Sequence, residues 1–543
     1  MADLANALTA NPRPSTPQSF TRHLPEDVLA IIFRLVIDEH YAHSDAPFQP
    51  CAPQLVLASV CSQWRELSRS MRHLWTTVPV GADPSHAAQC LIRSGELHLR
   101  VGVQFSVHPW SSDRSEPDLI NQVHRALYPF TWHIKTKLPV NRIFLVKRVR
   151  EVAMSVPPSL VSRFHTQGVW RRHYFPDVRT LYVSLKKTRD EVSMEAAAWL
   201  LERWLPTSPY DLSWAGPRLF PKLHHLRLDG LHLPQWSLRL PSNLHTMELH
   251  LIDAPQRKLQ KLDHNSISLS HLWDDLGSLA HLNRLSIDFA DAFSGVDIIA
   301  DISLPSIHEI NLTTQSLSLL SNISKATRMP SLRRYTLALT LRHRSVLDPP
   351  AGDEIVSSLR CFISQLPPLH ALYVLHRTST RTAIVTVAAA SHFLDWPASV
   401  AQDALFDDTN LHITFTCDVR SRCASTAETF LGAALECMAS LSDTHPIDSL
   451  EISLDDDHLT TFVCSPGVIG RFQKMQKLTC HDGHAELISN LLQNSTLLPH
   501  LKTLATSSLD PVGAATLDAL SDMRKGLSHL TLPNTDILRD GIR

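Results

Sequence analysis

The chain has 543 residues, of which 43% are apolar and 19% charged, with a formal net charge of −2 at pH 7. This composition predicts a globular protein, and it argues against a disordered chain and against a basic surface for nucleic acid or membranes. Only 16 glycines are present, and no GxxxxGK[ST], GxGxxG or GxSxG motif occurs, which disfavours a phosphate-binding loop. The length suits several ordinary domains or one long repeat array.

Cysteine use and the absence of apolar runs indicate the compartment. Nine cysteines are scattered without a CxxC pair, which is typical of reduced intracellular thiols and not of a disulfide framework or zinc site. The first residues lack a basic region followed by an apolar core, so no secretory signal is predicted. The run AIVTVAAA at 383–390 is too short to cross a bilayer. We predict a cytoplasmic or nuclear protein with no membrane contact and no cofactor.

The N-terminal stretch predicts a helical module. Residues 1–20 carry Pro, Ser and Thr and are expected to form a disordered tail. A helix should begin at LPED, residues 24–27, because proline suits a first turn and acidic residues favour the positive helix end. A polar loop is expected over 37–53 and a second helix over 54–78, with Trp75 closing the module. The apolar residues of the first helix form two adjacent stripes, Val28, Ile31, Ile32, Leu35 and Leu29, Phe33, Val36.

Residues 21–78 contain the phrases LP…VL..IF, L.SVC..WR.LS and LW, in that order. By these phrases the stretch, about a tenth of the 543 residues, resembles an F-box. The loop at 37–53 looks longer than in a minimal F-box, as in F-box proteins of mushroom-forming fungi, which the whole sequence resembles. We assign to the adaptor interface, or to the packing that shapes it, Leu24, Pro25, Val28, Leu29, Ile32, Phe33, Leu57, Val60, Cys61, Trp64 and Trp75.

The resemblance implies a docking role. F-box helices bind the Skp adaptor of Skp–cullin–F-box ubiquitin ligases and, through it, the cullin. A small three-helix module cannot bury two wide apolar arcs by itself, and an exposed patch of that size usually marks an interface. The alternative is that these helices form an N-terminal cap on the downstream domain, because helix periodicity alone fits both roles.

Residues 79–543 repeat a short phrase. The phrase is (L/F)P-x-Φ-x-x-Φ-x-Φ, where Φ is apolar, and eleven variants occur between FPDVRTLYV at 175–183 and GLSHLTL at 526–532. The spacing is 25 residues from 282 to 332 and 26 to 28 from 447 to 527, which suits leucine-rich repeats with one short strand per unit. Two segments, 106–170 and 376–446, fit poorly, and the second is expected to contain one strand, LHITFTC at 411–417.

These patterns predict an α/β fold in which a three-helix F-box precedes an irregular leucine-rich-repeat-like solenoid. The array should begin close to the F-box, because TTVPV at 76–80, a helix near 85–94 and ELHLRVGVQF at 96–105 already suggest strand, helix and strand. A generic α/β domain is the alternative. The concave strand face, or the loops at its edges, would hold an unknown protein substrate.

Histidine is abundant, with 31 residues, so chance clusters are expected. His481 and His484 could bind a metal, but two histidines without a third ligand are more simply loop residues, and no metal site is predicted. The run DDDH at 455–458 could hold a cation or a basic partner, but a solvated loop is the simpler interpretation, and the run lacks the glycine and the closing glutamate of an EF-hand loop. His224 and His225 lie in one repeat strand, so one is expected to face solvent and the other to border the core.

Residues 133–190 are locally basic, with aromatic residues interleaved. Such a mixture can bind nucleic acid or an acidic peptide, or it can be a solvated face beside a core. The balanced charge of the whole chain gives no further support to nucleic acid.

The sequence contains no nucleophile, base and orienting group in a recognisable catalytic arrangement. We therefore predict a non-catalytic receptor subunit of a ubiquitin ligase, which supplies proximity between the ubiquitin carrier and the substrate. One alternative is an F-box scaffold or interaction module that binds the adaptor without promoting ubiquitination. A substrate whose degradation depends on this protein would exclude that alternative. Another is a hydrolase or transferase, which would require a deep pocket with convergent polar groups.

Overall fold

The structure, a computed structural model, divides the chain into two compact units. Unit 1 comprises 1–196 and 211–223, and unit 2 comprises 197–210 and 224–543. The predicted boundary at residue 78 lies inside unit 1 and stays a prediction, and the predicted tail lies outside the described residues. The described residues are 24–42, 53–80, 84–104, 145–156, 175–185, 220–231, 240–251, 270–289, 301–341, 352–378, 382–392, 409–418, 423–481, 489–491, 493–494, 496–506 and 529–531.

Unit 1 begins with helices and continues with parallel strands. Its helices are α1 Glu26–Ala42, α2 Pro53–Val60, α3 Ser62–Ser70, a short 3₁₀ helix Arg72–Trp75 and α4 Pro84–Arg93. Its strands are β1 Thr77–Val80, β2 Leu99–Gln104, β3 Val149–Val156 and β4 Thr180–Leu185. Neighbouring strands pair in parallel in the order β1, β2, β3, β4. The predicted strand–helix–strand sequence after residue 76 is therefore confirmed.

Two predicted boundaries of the helical module are wrong. The first helix does not end before residue 37 but continues to Ala42, because Ile37 is buried and extends the inward stripe of Leu29 and Phe33 by one further turn. The predicted helix over 54–78 is broken at Cys61. The backbone of Cys61 is extended, and its Sγ accepts a hydrogen bond from the amide of Trp64 at 3.5 Å, so this residue caps the start of α3.

Unit 2 contains twelve strands in one sheet within the described residues, in the order β5, β6, β7, β9, β11, β14, β13, β12, β15, β16, β17, β18. These strands are β5 His225–Leu231, β6 Thr246–Leu251, β7 Arg284–Phe289, β9 Glu309–Thr314, β11 Arg334–Leu341, β12 Ala371–Thr378, β13 Thr382–Ala390, β14 Leu411–Asp418, β15 Ser449–Leu454, β16 Lys477–Cys480, β17 Thr503–Thr506 and β18 His529–Thr531. A separate parallel pair is formed by β8 Ile302–Ser303 and β10 Thr327–Arg328. The helices are α5 Ser270–Gly277, α6 Leu317–Ala326, α7 Gly352–Ile363, α8 Cys423–Ser440, α9 Asp457–Val463 and α10 Pro466–Ile469.

The repeated phrase coincides with a strand in all eleven places. In several repeats the first apolar residue closes a turn before the strand: the amide of Leu244 donates to the carbonyl of Pro241 at 3.1 Å, and the amide of Leu332 donates to the carbonyl of Met329 at 3.0 Å. Where the structure describes their side chains, the later apolar residues of the phrase are buried on one side of the strand, as the period of a β-strand requires. The phrase therefore encodes a buried turn followed by a strand, and the chain is a mixed α/β protein with a large, mainly parallel sheet.

The helices of unit 2 cover one face of this sheet. The ring of Tyr335 on β11 stacks on Phe362 of α7, and that of Phe415 on β14 stacks on Phe430 of α8, each with ring centroids 4.6 Å apart. α6 packs against α7, and α7 packs against α8. Among the described helices of both units, none combines the length and the apolar character that crossing a membrane requires.

Regular elements occur in both segments that were predicted to be irregular. The first contains β3, and the second contains the end of β12, then β13, β14 and α8, so the expectation of one strand there is wrong. β13 is antiparallel to β12 and β14, whereas β14 is parallel to β11 and β12 is parallel to β15. Most described side chains of β3 and β13 are buried on both sides, so these strands show no alternation that a sequence pattern could reveal.

Alternate side chains on the strands of unit 2 point away from the helices, and we call this side the polar face. Arginines on it pair with carboxylates of the neighbouring strand: Arg284 Nε lies 3.6 Å from Glu309 Oε1, and Arg227 Nε lies 3.8 Å from Glu248 Oε2. These two carboxylates are therefore neutralised by arginines of the same sheet. One row across it, strand by strand, contains Arg227, Glu248, Ser286, Asn311, Thr336 and His412.

His412 on the polar face should make the fold sensitive to acid. Burial, with a smaller contribution from Arg334, lowers the pKa of its imidazole to about 4. Because an unfolded histidine has a pKa of about 6.5, the unfolded state binds more protons between these values, so stability is complete above pH 6.5 and falls as the pH drops towards 4. The unfolding free energy should fall between pH 7.5 and pH 5, and in His412→Gln this fall should be smaller by about 2 kcal/mol. Urea unfolding at both pH values checks this, and an unaltered pH dependence in the variant would contradict it.

Candidate partner-binding surface

α1 is apolar on two sides, and the chain buries only one of them. The buried side carries Leu29, Phe33 and Ile37, spaced four residues apart, so that they form one stripe along the helix. The phenyl ring of Phe33 meets the indole of Trp64 on α3 edge-on, with ring centroids 4.8 Å apart. α1 packs against α2, α3 and the 3₁₀ helix, and this stripe is its contribution to the core.

Trp75 fixes the end of the helical module. Its side chain is fully buried, and its indole Nε1 donates to the carbonyl of Ser68 at 2.7 Å. The guanidinium of Arg93, on α4, lies 4.1 Å from the centroid of the indole ring, at a distance typical of a cation–π contact. Trp75 therefore joins α3, the 3₁₀ helix and α4, and a substitution there would act through packing.

The other side of α1 and part of α2 expose large aliphatic side chains. On α1, Ile31 is 60% exposed and Leu35 61%, and they lie one helical turn apart. Burying one such side chain contributes about 1.5–3 kcal/mol, so a partner that covered several of them would gain substantial free energy. We call this set the apolar helix surface; its members are Val28, Ile31, Leu35 and Val36 on α1 and Leu55, Val56 and Val60 on α2.

The structure separates the predicted site residues into two groups. Three of them are exposed, namely Pro25, Val28 and Val60. Four are buried and pack the module: Leu29, Phe33, Leu57 and Trp75. The remaining four are half-buried: Leu24, Ile32, Cys61 and Trp64. Only the first group, together with the accessible parts of the last, is available to contact a partner.

The site prediction omitted the most exposed members of the apolar helix surface. Ile31, Leu35 and Val36 belong to the apolar stripes of the first helix but not to the F-box phrases, and Leu55 and Val56 belong to neither pattern. The signal was present for α1, because a helix with two apolar stripes can turn only one of them towards a small core. For α2 the break at Cys61 decides which side chains face outwards, and periodicity did not predict that break.

The other predicted candidates have structural roles or lie outside the described residues. Asp456 caps the start of α9, with its Oδ1 accepting from the amides of His458 and Leu459 at 2.9 and 3.1 Å. His225 is exposed and His224 half-buried, as predicted for this pair. His484 lies outside the described residues. In the described ranges, no three His, Cys, Asp or Glu side chains come together in a group that could hold a metal ion.

Two arginines of the basic segment make contacts inside unit 1. Arg148 donates to the carbonyl of Leu97 at 2.8 Å and to Ser94 Oγ at 2.7 Å. Arg150 Nη1 lies 3.2 Å from Asp177 Oδ1. The charges of these two arginines are thus held in intramolecular contacts, which favours the structural interpretation of this part of the segment over a nucleic-acid surface.

Comparisons with known proteins leave the family open. No protein-family model matches the chain, and no curated protein matches it. Among solved structures, the chain is similar to one described as "Crystal structure of TLR13-ssRNA13 complex", with 13% identity and a TM-score of 0.22. That similarity covers 71% of this chain and 45% of the other, so the chain spans less than half of that protein's length. A TM-score of this size does not establish a common fold, and the description of the sheet rests on the strands of this chain.

Proposed function

We propose that the chain is the substrate-recognition subunit of a Skp–cullin–F-box ubiquitin ligase. In this proposal the N-terminal helices are an F-box that docks on a Skp adaptor, and through it on the cullin. The repeat strands then hold a target protein. The observation that carries the proposal is the apolar helix surface, where seven large aliphatic side chains stay exposed on two helices that pack against each other. The order of the LP, VL, IF, SVC and WR phrases in the same stretch supports it.

Packing at the edge of this surface also supports docking. Phe33 packs against Trp64 of α3 and Leu29 is buried on the same side of α1, while Ile31 and Leu35 on the same helix remain accessible. A helix that only capped the downstream strands would have little reason to keep this second stripe apolar, because exposed aliphatic patches favour aggregation. In the proposed complex the chain performs no covalent chemistry and supplies proximity between the ubiquitin carrier and the target.

The test is copurification of the full chain with the Skp adaptor of its host. Co-expression is expected to raise the yield of monodisperse protein, because the adaptor covers the apolar helix surface. Equal yield and monodispersity without the adaptor, together with no measurable binding, would contradict the proposal. If the adaptor binds but the cullin complex ubiquitinates no protein whose turnover depends on this chain, the module is an F-box scaffold and not a ligase subunit.

A further inference from the structure

The polar face of unit 2 contains one carboxylate that differs from the others. Glu451 on β15 is only 8% exposed at its side chain, and its Oε1 lies 2.6 Å from Nε2 of His481. We propose that Glu451, with His481 beside it, binds a guanidinium group such as that of an arginine side chain. This site belongs to unit 2 and does not depend on the adaptor-binding role proposed for the N-terminal helices.

The strand register defines the surroundings of Glu451. On β12 its in-register neighbour is Tyr373, which is fully buried, and on β16 it is Thr479. The amide of His481 donates to the carbonyl of Ile452 at 2.9 Å, which continues the β15–β16 ladder by one residue and places His481 beside Ser453. The side chain of His481 is 27% exposed, so the approach to Glu451 is on the His481 side, and the Tyr373 side is closed.

Glu451 keeps unused capacity to accept hydrogen bonds. An ionised carboxylate can accept about four hydrogen bonds. In the part of the chain that the structure describes, Glu451 accepts one, from His481, and no lysine or arginine lies within ion-pair distance. By contrast, Glu309 and Glu248 on the same face have arginine neighbours, Arg284 and Arg227, within 4 Å. Among the described residues, Glu451 therefore has His481 as its neighbour but lacks the arginine partner that Glu248 and Glu309 have.

The environment favours an organic cation over an inorganic one. Tyr373 and the buried Ala388 next to it provide an apolar wall, and the attraction between opposite charges is stronger where water is excluded. A cation must lose water to enter such a site, and guanidinium is more weakly hydrated than an ammonium group. Its planar N–H groups also match a carboxylate in pairs, and Oε1 has a second lone pair beside its bond from His481.

The test measures binding of methylguanidinium to the full chain by saturation-transfer NMR, with methylammonium as the comparison at the same ionic strength and neutral pH. Methylguanidinium is expected to bind more tightly than methylammonium. Glu451→Gln should weaken it about tenfold or more, because a charge-assisted hydrogen bond is lost. The matched control is Glu309→Gln, which removes a carboxylate that Arg284 already neutralises and should leave binding unchanged.

Three results would overturn the proposal: no saturation transfer to methylguanidinium, equal binding of the two cations, or the same loss in both variants. The comparison of the two cations uses the unaltered protein, so it remains informative if Glu451→Gln does not fold. No adaptor is present, so the outcome is separate from that of the copurification test.

Discussion

Replacing Ile31 and Leu35 together with aspartate should weaken adaptor binding at least about 100-fold, which is about 2.7 kcal/mol of binding free energy. Both side chains lie at the centre of the exposed stripe of α1 and make up the most accessible part of the apolar helix surface. In a complex they would be buried against the partner, and two aspartates in their place would bring uncompensated charge into an apolar contact. The measurement is the equilibrium affinity of the full chain for the adaptor, by calorimetry or biolayer interferometry.

The same double variant should fold almost normally. Exposed substitutions usually change the unfolding free energy by less than about 0.5 kcal/mol each, and aspartate adds a modest loss of helix propensity. Ile92→Asp provides a matched control: Ile92 is 79% exposed on α4 and lies outside the apolar helix surface. Full affinity in Ile92→Asp and strong loss in the double variant is the expected pair of results. Unchanged affinity in the double variant would contradict docking through the apolar helix surface.

The strands were predictable because one phrase repeats. In the repeats whose side chains the structure describes, the turn before the strand buries one apolar residue and the strand buries more with a period of two, as at Leu332, Tyr335 and Leu337. These requirements involve only residues that are close together in the sequence, so the sequence pattern alone predicts the strands. β13 has no such requirement, because it enters between β12 and β14 as an antiparallel strand buried on both faces. Its place in the sheet depends on pairing with residues distant in sequence.

The candidate surface was predictable in its location but not in its composition. The ordered phrases correctly indicate α1 and α3. They contain buried packing residues, such as Phe33 and Trp75, as well as exposed residues, such as Val28. Which side chains are exposed depends on which stripe of α1 packs against Trp64, and this is decided by the packing of the helices and not by the local sequence. The pair of Glu451 and His481 was unpredictable for a related reason, because 30 positions separate two residues that only the register of β15 and β16 brings together.

Phe33→Ala should destabilise the helical module by about 3–5 kcal/mol, the usual cost of removing a fully buried phenylalanine. Phe33 is completely buried and packs edge-on against Trp64, so the variant loses both the burial of the ring and the aromatic contact. Amide hydrogen exchange of peptides covering α1 to α3 is the appropriate measurement, because it reports the local stability of this part of unit 1. Ile31→Ala is the matched control on the same helix and should change exchange little, since Ile31 is exposed.

The adaptor should distinguish the two kinds of variant on α1. A partner that binds only the folded module stabilises it by about 2.7 kcal/mol at a concentration 100 times the Kd, so saturating adaptor should restore much of the protection that Phe33→Ala loses. It should change exchange little in the Ile31 and Leu35 double variant, which keeps its protection without the adaptor and binds the adaptor at least about 100-fold more weakly. If added adaptor left the exchange of Phe33→Ala unchanged while the unaltered chain bound it, folding of α1 and docking would be independent. The apolar helix surface would then not be the contact.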